Sequence, residues 1–361
     1  MFYFLSGLRD TFSGLNLFRY ITFRAGMAAV TTFLLCVIFG PFFIRILKKM
    51  KFQEITKRDD CPILDQFQGG KQGTPTMGGI FVVGSIAVSI LLWNDLANPY
   101  VLMTLFTLLS LACLGFYDDY IKLTKKGQRG LKKRSKLFWQ IVIGAVMGLF
   151  VYYNPNTSSD LTFPFFKNLV WNLGIFYIPV VAIILIGTSN AVNLTDGLDG
   201  LAIGCVLIVS LTLAILCYIT GHVRFSEYLF IPYVASVGEL SIICMAILGA
   251  SLGFLWFNAH PASVFMGDTG SLSLGGTLGI ISVIIKKELL LVVLGGVFVV
   301  EALSVILQVF SVKVRGKRIF KVSPLHHHLQ LSGWEESKII IRFWIIAIIL
   351  ALLTLTTLKI R

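Results

Sequence analysis

Long apolar runs set the strongest limit on how this chain can fold. A membrane-spanning helix needs about 20 mostly apolar residues, and ten runs of roughly that length lie along the sequence. Hydrophobic residues make up 56% of the chain and charged residues only 14%, whereas a soluble domain carries about 25% charged residues. The sequence therefore predicts an all-α polytopic membrane protein with about ten transmembrane helices. The expected spans are 22–46, 77–93, 98–117, 137–153, 173–192, 201–220, 239–257, 271–285, 288–310 and 339–358.

Lys and Arg are unevenly distributed among the loops between these runs. Cytoplasmic loops of membrane proteins carry the excess of positive charge, and the loops after the first, third and ninth runs hold most of the Lys and Arg residues. The loops after the second, fourth, sixth and eighth runs hold only Lys167, Arg224, Lys286 and Lys287. The odd-numbered loops are therefore predicted to be cytoplasmic, with both termini periplasmic, in a single domain of residues 1–361. The main cytoplasmic loops are expected at 48–76, 118–136, 193–200, 258–270 and 311–338.

Carboxylates are scarce in this chain, and several lie where apolar runs end. The chain has 18 Asp and Glu residues, and acidic groups beside membrane helices are costly to desolvate, so they usually carry function. Helix counting places three acidic motifs on one face: Phe116-Tyr-Asp118-Asp119-Tyr120, Asn193-Leu-Thr-Asp196-Gly-Leu-Asp199-Gly200 and Phe265-Met-Gly-Asp268-Thr-Gly270. Mg²⁺ favours oxygen ligands and commonly takes one or two carboxylates together with substrate phosphates. The motifs together predict a magnesium-phosphate site at the cytoplasmic face.

Each acidic motif also has a purely structural interpretation. Asp118 and Asp119 could form a solvated helix end, although negative charge at a helix C-terminus is unfavourable. Asp199 and Asp268 could each cap the helix that follows by accepting hydrogen bonds from its free backbone N–H groups. Position alone leaves both interpretations of Asp268 open.

Histidines and lysines mark further segments near the same face. His326-His327-His328 lies on a predicted cytoplasmic loop, where His can donate hydrogen bonds to phosphate or move protons; a zinc site lacks a fourth ligand at suitable spacing, and a solvated loop is the alternative. Lys71 adjoins a glycine-rich motif and Lys122 an acidic motif, whereas the other basic loop residues are explained as topology signals.

Glu301 lies within the ninth run, with Gln308 on the same helix face. An intramembrane Glu is either functional or hydrogen-bonded to a neighbouring helix.

Taken together, the motifs resemble those of a known enzyme family. Asp118-Asp119, Asn193-x-x-Asp196-Gly-x-Asp199-Gly200 and Phe265-Met-Gly-Asp268 are similar to motifs of the polyprenyl-phosphate N-acetylhexosamine-1-phosphate transferase superfamily. The segments that resemble its phospho-N-acetylmuramoyl-pentapeptide transferase branch are Lys71-Gln-Gly-Thr-Pro-Thr-Met-Gly-Gly79, Phe254-Leu-Trp-Phe-Asn258 and Pro324-Leu-His-His-His328. The resemblance covers essentially the whole chain.

This resemblance implies an activity, a cofactor and two substrates. Members transfer phospho-MurNAc-pentapeptide from UDP-MurNAc-pentapeptide to undecaprenyl phosphate with Mg²⁺ as cofactor, and they release lipid I and UMP in peptidoglycan synthesis. The resemblance also implies ten transmembrane helices around a cytoplasmic cleft, a bacterial inner-membrane location and a homodimer. No nucleic-acid partner is expected.

Roles for individual residues follow from the same resemblance. Asp268 is expected to be the main magnesium ligand in a cluster with Asp118 and Asp119. Asp118 is expected to accept the proton of the acceptor phosphate or to hold that phosphate for in-line attack. The catalytic residues are expected to include His326, His327 and His328, which would contact phosphates or the donor sugar. The residues expected to bind substrate are Lys71, Thr76, Lys122, Asn190, Asn193, Asp196, Asp199, Asn258, Phe265 and Gln308, with Phe265 stacked on uracil.

Two other functions compete with this expectation. The first is the same chemistry on UDP-GlcNAc, a polyprenyl-phosphate GlcNAc-1-phosphate transferase, which the Lys71 segment and the triple His disfavour. The second is a secondary transporter that uses Glu301 and the aspartates as an ion path. Transporters place such groups near the membrane midplane, often within internally repeated halves, whereas here the acidic motifs gather at one face and no repeat is evident.

Overall fold

The computed structural model describes residues 2–8, 13–50, 73–124, 130–163 and 169–359. Within these ranges the chain is helical apart from short connections and one small antiparallel sheet, in which Asp160–Thr162 (β1) pairs with Val170–Asn172 (β2). The α-helices are α1 (Ile21–Lys49), α2 (Gly79–Trp93), α3 (Pro99–Thr124), α4 (Lys133–Tyr153), α5 (Tyr177–Thr195), α6 (Leu201–Thr220), α7 (Val223–Leu229), α8 (Leu240–Asn258), α9 (Gly267–Ile284), α10 (Glu288–Leu294), α11 (Gly296–Arg315), α12 (Leu325–Gln330) and α13 (Glu336–Thr356).

The long helices follow the predicted apolar runs. Among the described residues, eight helical segments are long and apolar enough to cross a membrane, and they contain α1, α3, α4, α5, α6, α8, α11 and α13. Two further runs form the 15-residue α2 and the 18-residue α9. The expectation of an all-α polytopic membrane protein is therefore confirmed, while the number of crossings and their orientation stay predictions.

Three helix boundaries differ from the sequence expectation. The ninth run is divided at Gly295 into α10 and α11, because the chain leaves helical geometry there for one residue. The third run continues as helix to Thr124, so the predicted loop 118–136 begins inside α3. The segment with the three histidines forms the short helix α12 within the expected loop 311–338.

Helix α9 lies at the centre of the fold. It packs against α2, α3, α5 and α6, and every residue from Thr269 to Ile284 is buried. Small residues let helix backbones approach closely inside a membrane, and α9 is rich in Gly, Ser and Thr. Because α9 faces protein on all sides rather than lipid, it does not need the apolar surface that the outer helices carry.

Close backbone contact between α2 and α9 depends on glycine. A Cβ atom built on Gly79 would lie 2.2 Å from the backbone N of Gly270, which is far inside the contact distance of two atoms. Gly84, on the same helix, has no atom within 4 Å of such a Cβ. The two glycines therefore offer a pair on one helix, in which Gly79 is buried against α9 and Gly84 is exposed.

We predict that Gly79→Ala lowers the free energy of unfolding by roughly 1–3 kcal/mol because it overpacks the interface with α9. Gly84→Ala should be neutral or stabilising by about 0.5–1 kcal/mol, since it only removes glycine entropy from a helix. Thermal denaturation of both purified variants in one detergent measures the difference. Equal midpoints for the two variants would contradict the packing argument.

Candidate active site

Three carboxylates converge where α3 ends and α9 begins. Asp118 and Asp119 lie in the last two turns of α3, and Asp268 lies in the first turn of α9. One oxygen from each of these carboxylates lies within 4.8 Å of the others. The helices come this close because Gly115 has no side chain: a Cβ there would lie 2.3 Å from the backbone O of Asp268. The predicted cluster of Asp118, Asp119 and Asp268 is thus assembled by helix packing.

The Asp119 carboxylate caps the N-terminus of α9. Its oxygens accept hydrogen bonds from the backbone N–H groups of Asp268 (3.2 Å) and Thr269 (3.0 Å), and from the hydroxyl of Thr269 (3.0 Å). The first N–H groups of a helix lack partners within the helix, and this end carries partial positive charge. The sequence left open whether Asp268 caps this helix. In the structure, Asp119 on α3 provides the cap.

Two lysines neutralise most of the charge of the cluster. The Nζ atom of Lys122 lies 2.7 Å from Asp118 Oδ2, 3.1 Å from Asp268 Oδ2 and 3.5 Å from Asp119 Oδ1. The Nζ atom of Lys136 lies 2.6 Å from Asp268 Oδ2. Burial raises the pKa of Asp268, but a hydrogen bond with Asp118 and the charges of Lys136 and Lys122 more than offset this and hold its pKa well below the usual range. Asp268 is therefore ionised at neutral pH.

Sequence reasoning missed Lys136, which it counted only as part of a positive loop. This lysine lies in the first turn of α4, where the segment Lys132-Lys133-Arg134-Ser135-Lys136 places several positive charges at a helix N-terminus. Positive charge is unfavourable at that end of a helix. That conflict was the available signal that at least one of these side chains has an acidic partner elsewhere.

The segment Asn193–Gly200 joins the cluster to the rest of the site. Asn193 donates from Nδ2 to Asp268 Oδ1 (2.9 Å) and to Ser271 Oγ (2.8 Å). The backbone N of Gly200 donates to Asn258 Oδ1 (3.0 Å). Asp196 ends α5 between these two anchors and is half-buried.

Asn190, one turn before Asn193, is not in this cluster. Its Nδ2 donates to Gln140 Oε1 on α4 (3.0 Å) and to the backbone O of Ile186 (2.8 Å). The described contacts of Asn190 therefore join α4 to α5 and differ from the expected pocket position.

Asp199 and Asn258 hold neighbouring loops together. Asp199 Oδ2 accepts a hydrogen bond from the backbone N of Ala262 (3.1 Å) and lies 3.0 Å from His260 Nδ1. Asn258 donates from Nδ2 to the backbone O of Val264 (2.8 Å). Both residues are buried. In this structure the expected substrate-binding residues Asp199 and Asn258 act as supports for the loop that carries Phe265.

Phe265 and Thr76 lie on two segments that pair beside the cluster. The backbone N of Phe265 donates to Pro75 O (2.8 Å), and its backbone O accepts from Gly78 N (2.8 Å). Thr76 lies beside Gly267, because a Cβ on that glycine would be 3.3 Å from Thr76 Oγ1. Phe265 is half-buried and lies three residues before Asp268. The predicted site residue Lys71 lies outside the described residues.

The three histidines occupy different environments on α12. His326 is fully buried, and its expected contact with substrate stays a prediction. The Nδ1 atom of His327 lies 2.9 Å from Gln330 Oε1, and the half-buried His328 accepts a hydrogen bond at Nδ1 from the backbone N of Lys321 (3.2 Å). Of the three rings, that of His328 is therefore the most accessible.

Gln308 supports a loop rather than the carboxylate cluster. Its Oε1 accepts hydrogen bonds from the backbone N–H groups of Ile319 (3.0 Å) and Phe320 (2.9 Å), and its Nε2 donates to the backbone O of Phe320 (3.1 Å). These contacts occupy the amide oxygen and one N–H of the side-chain amide. The expected substrate-binding role of Gln308 thus finds no direct geometric support in the described residues.

We predict that Asp119→Asn destabilises the protein by about 1–2 kcal/mol, because it weakens the cap of α9 and removes the charge that faces the helix dipole. Asp268→Asn changes the same cluster but keeps the cap, and it should destabilise by a different route, through loss of the ion pairs with Lys122 and Lys136. Denaturation midpoints measured without divalent cations compare the two. An Asp119→Asn variant as stable as the parent protein would refute the capping role.

Two family models match this chain. The model of glycosyl transferase family 4 matches residues 101–286, which include all three clustered carboxylates. The first signature of phospho-N-acetylmuramoyl-pentapeptide-transferases matches residues 71–83.

Full-length relatives narrow the assignment. Curated proteins named phospho-N-acetylmuramoyl-pentapeptide-transferase from Desulforapulum autotrophicum and Geobacter sp. strain M21 are 51% and 50% identical to this chain, and each alignment covers 100% of both proteins. The protein of that name from Thermodesulfovibrio yellowstonii is 51% identical over 99% of both chains. Together with the carboxylate and lysine cluster, these matches show that the chain belongs to the phospho-N-acetylmuramoyl-pentapeptide-transferase family.

Proposed function

We propose that this protein transfers phospho-MurNAc-pentapeptide from UDP-MurNAc-pentapeptide to undecaprenyl phosphate. The products are undecaprenyl-diphospho-MurNAc-pentapeptide and UMP, and the reaction is a step of peptidoglycan synthesis. The observation that carries the proposal is the cluster of Asp118, Asp119 and Asp268 with Lys122 and Lys136. Full-length identity of about 50% to transferases of this name supports the choice of substrates.

The donor set of the cluster fits Mg²⁺. Three carboxylates are hard oxygen ligands of the kind that Mg²⁺ prefers. Asp268 is proposed as the main ligand with Asp118 and Asp119 beside it, since one oxygen of each carboxylate lies within 4.8 Å of the others. Bound there, Mg²⁺ would neutralise and orient the diphosphate of the donor.

Charge compensation is the main task of the protein in such a reaction. Both substrates are anionic, and phosphoryl transfer depends mostly on positioning and on electrostatic stabilisation. Lys122 and Lys136 already lie within ion-pair distance of the carboxylates, so their ammonium groups are placed to offset the phosphate charges. The acceptor phosphate oxygen attacks the β-phosphorus of the donor, and the bond from that phosphorus to UMP breaks.

Asp118 would hold the acceptor phosphate or accept its proton. A phosphate monoester with a second pKa of about 6 is mostly dianionic at neutral pH, so proton removal contributes little. Positioning is then the larger contribution of Asp118. A two-step route through an aspartyl-phosphate is the alternative, and labelled donor incubated without acceptor separates the two. A covalent phospho-sugar adduct on the protein would rule out direct transfer.

The site is proposed to face the cytoplasm of a bacterial inner membrane. The positively charged loops that follow α1, α3 and α11 support this orientation through the positive-inside rule. The donor is a cytosolic nucleotide sugar, and the acceptor lipid resides in the membrane. A site at the ends of α3 and α9 suits both substrates.

Direct assay of purified protein in detergent tests the proposed reaction. Radiolabelled UDP-MurNAc-pentapeptide should give a lipid-extractable product and UMP only when undecaprenyl phosphate and Mg²⁺ are both present, and chelation with EDTA should abolish turnover. UDP-GlcNAc in place of the donor should give no product. Transfer of GlcNAc phosphate at a comparable rate would favour the related GlcNAc-1-phosphate transferase activity.

Variants of the cluster test the assigned roles. We predict that Lys136→Met and Asp268→Asn each reduce kcat by about 100-fold or more, because loss of one group that stabilises developing charge typically has that effect. Lys133→Met is the control, since Lys133 is exposed on the same first turn of α4. Near-normal turnover of Asp268→Asn at saturating Mg²⁺ would disprove its role as a metal ligand.

A further inference from the structure

A buried acid and a buried histidine face each other away from the carboxylate cluster. Glu301 lies on the membrane helix α11 and His326 on the short helix α12, and both side chains are fully buried. The backbone N of His326 donates to Glu301 Oε1 (3.2 Å), and His326 Nδ1 lies 3.2 Å from Glu301 Oε2. Glu301 therefore contacts both the backbone and the ring of one residue, which restricts the orientation of the imidazole.

The remaining ring nitrogen of His326 faces the segment Asn193–Gly200. A Cβ atom built on Gly197 would lie 2.3 Å from His326 Nε2, so the imidazole packs directly on the backbone of this glycine. Neither ring nitrogen makes a well-aligned hydrogen bond among the described residues. Burying a polar ring without such partners costs free energy. Packing alone therefore does not explain why a histidine occupies this position.

Support from His326 falls at the middle of the segment. Asn193 is anchored to Asp268 and Ser271 at one end, and Gly200 is anchored to Asn258 at the other. The backbone N of Gly197 donates to the nearby Thr195 O (2.9 Å), which lies within the same segment. The His326 ring is thus the element that contacts Gly197 from outside its own segment.

We propose that Glu301 is a positioning residue for the nucleotide-sugar donor. It holds His326 against Gly197 and thereby sets the backbone of Asn193–Gly200, the segment that also orients Asp268 through Asn193. The identity of the ligand rests on the proposed function, whereas the control of the segment by Glu301 does not. Glu301 touches no reacting group, so its effect passes through His326.

Glu301→Gln is the direct test, because it keeps the size of the side chain but removes its charge. Ser304→Ala on the same helix is the control: Ser304 is also buried and donates to the backbone O of Glu301 (2.7 Å), but its side chain is not part of the pair with His326. Hydrogen–deuterium exchange of a peptide covering 193–200 should become about tenfold faster in Glu301→Gln, as expected when the hydrogen bond from the backbone N of His326 no longer has a charged acceptor. Unchanged exchange would overturn the proposal, whatever reaction the protein catalyses.

Kinetics then separate a positioning role from a general structural one. Glu301→Gln should raise the KM for UDP-MurNAc-pentapeptide by about tenfold and leave the KM for undecaprenyl phosphate unchanged. Gly197→Ala displaces the His326 ring from the other side. It should also raise the KM for the donor and leave the KM for undecaprenyl phosphate unchanged, even if Glu301→Gln folds poorly. Equal rises in both KM values would overturn the proposal. If the parent protein is inactive but exchange is still faster in Glu301→Gln, the proposed function is wrong. The control of the segment by Glu301 is then still supported.

A double variant tests whether the two residues act as a unit. If Glu301 acts only through His326, the donor KM of Glu301→Gln combined with His326→Asn should equal that of His326→Asn alone, because coupled residues give non-additive effects. Additive effects would show that Glu301 acts by another route and would refute the proposal.

Discussion

The hydrogen bonds between Asp119 and the first turn of α9 connect the fold to the chemistry. α9 lies at the centre of the helical bundle, and its N-terminus needs an acceptor for free N–H groups. Asp119 supplies that acceptor from α3, and in doing so it places Asp268 beside Asp118. One interaction therefore satisfies a helix end and brings together carboxylates that are distant in sequence.

Repulsion among three close carboxylates is the cost of this arrangement. Lys122 offsets it from the same helix as Asp118, and Lys136 offsets it from α4. The lysines serve two purposes, since charges that neutralise aspartates in the free protein are also placed to neutralise phosphates when substrates bind. The positive charges of the two lysines explain how an acidic cluster can be buried at a helix junction while Asp268 stays ionised.

Sequence reasoning was most successful where one dominant physical effect decides the outcome. Apolar length predicted the long helices, and the cost of burying acids predicted that Asp118, Asp119 and Asp268 belong together. It was less successful where the partner is distant in sequence: the cap by Asp119, the pairing of Lys136 with Asp268 and the burial of His326 all depend on which helices pack together. Gln308 shows the same limit, because its amide serves a loop that no local pattern connects to it.

The enclosure of α9 also bears on how the protein can move. A helix buried along its length, with glycine contacts to its neighbours, has no free volume into which it can shift. Opening such a region would cost much of the global stability, whereas segments with few packed contacts open at far lower free energy. Motions that admit substrates and release products are then expected in the elements around α9 rather than in α9 itself. The helix that carries Asp268 would serve as the fixed reference for those motions.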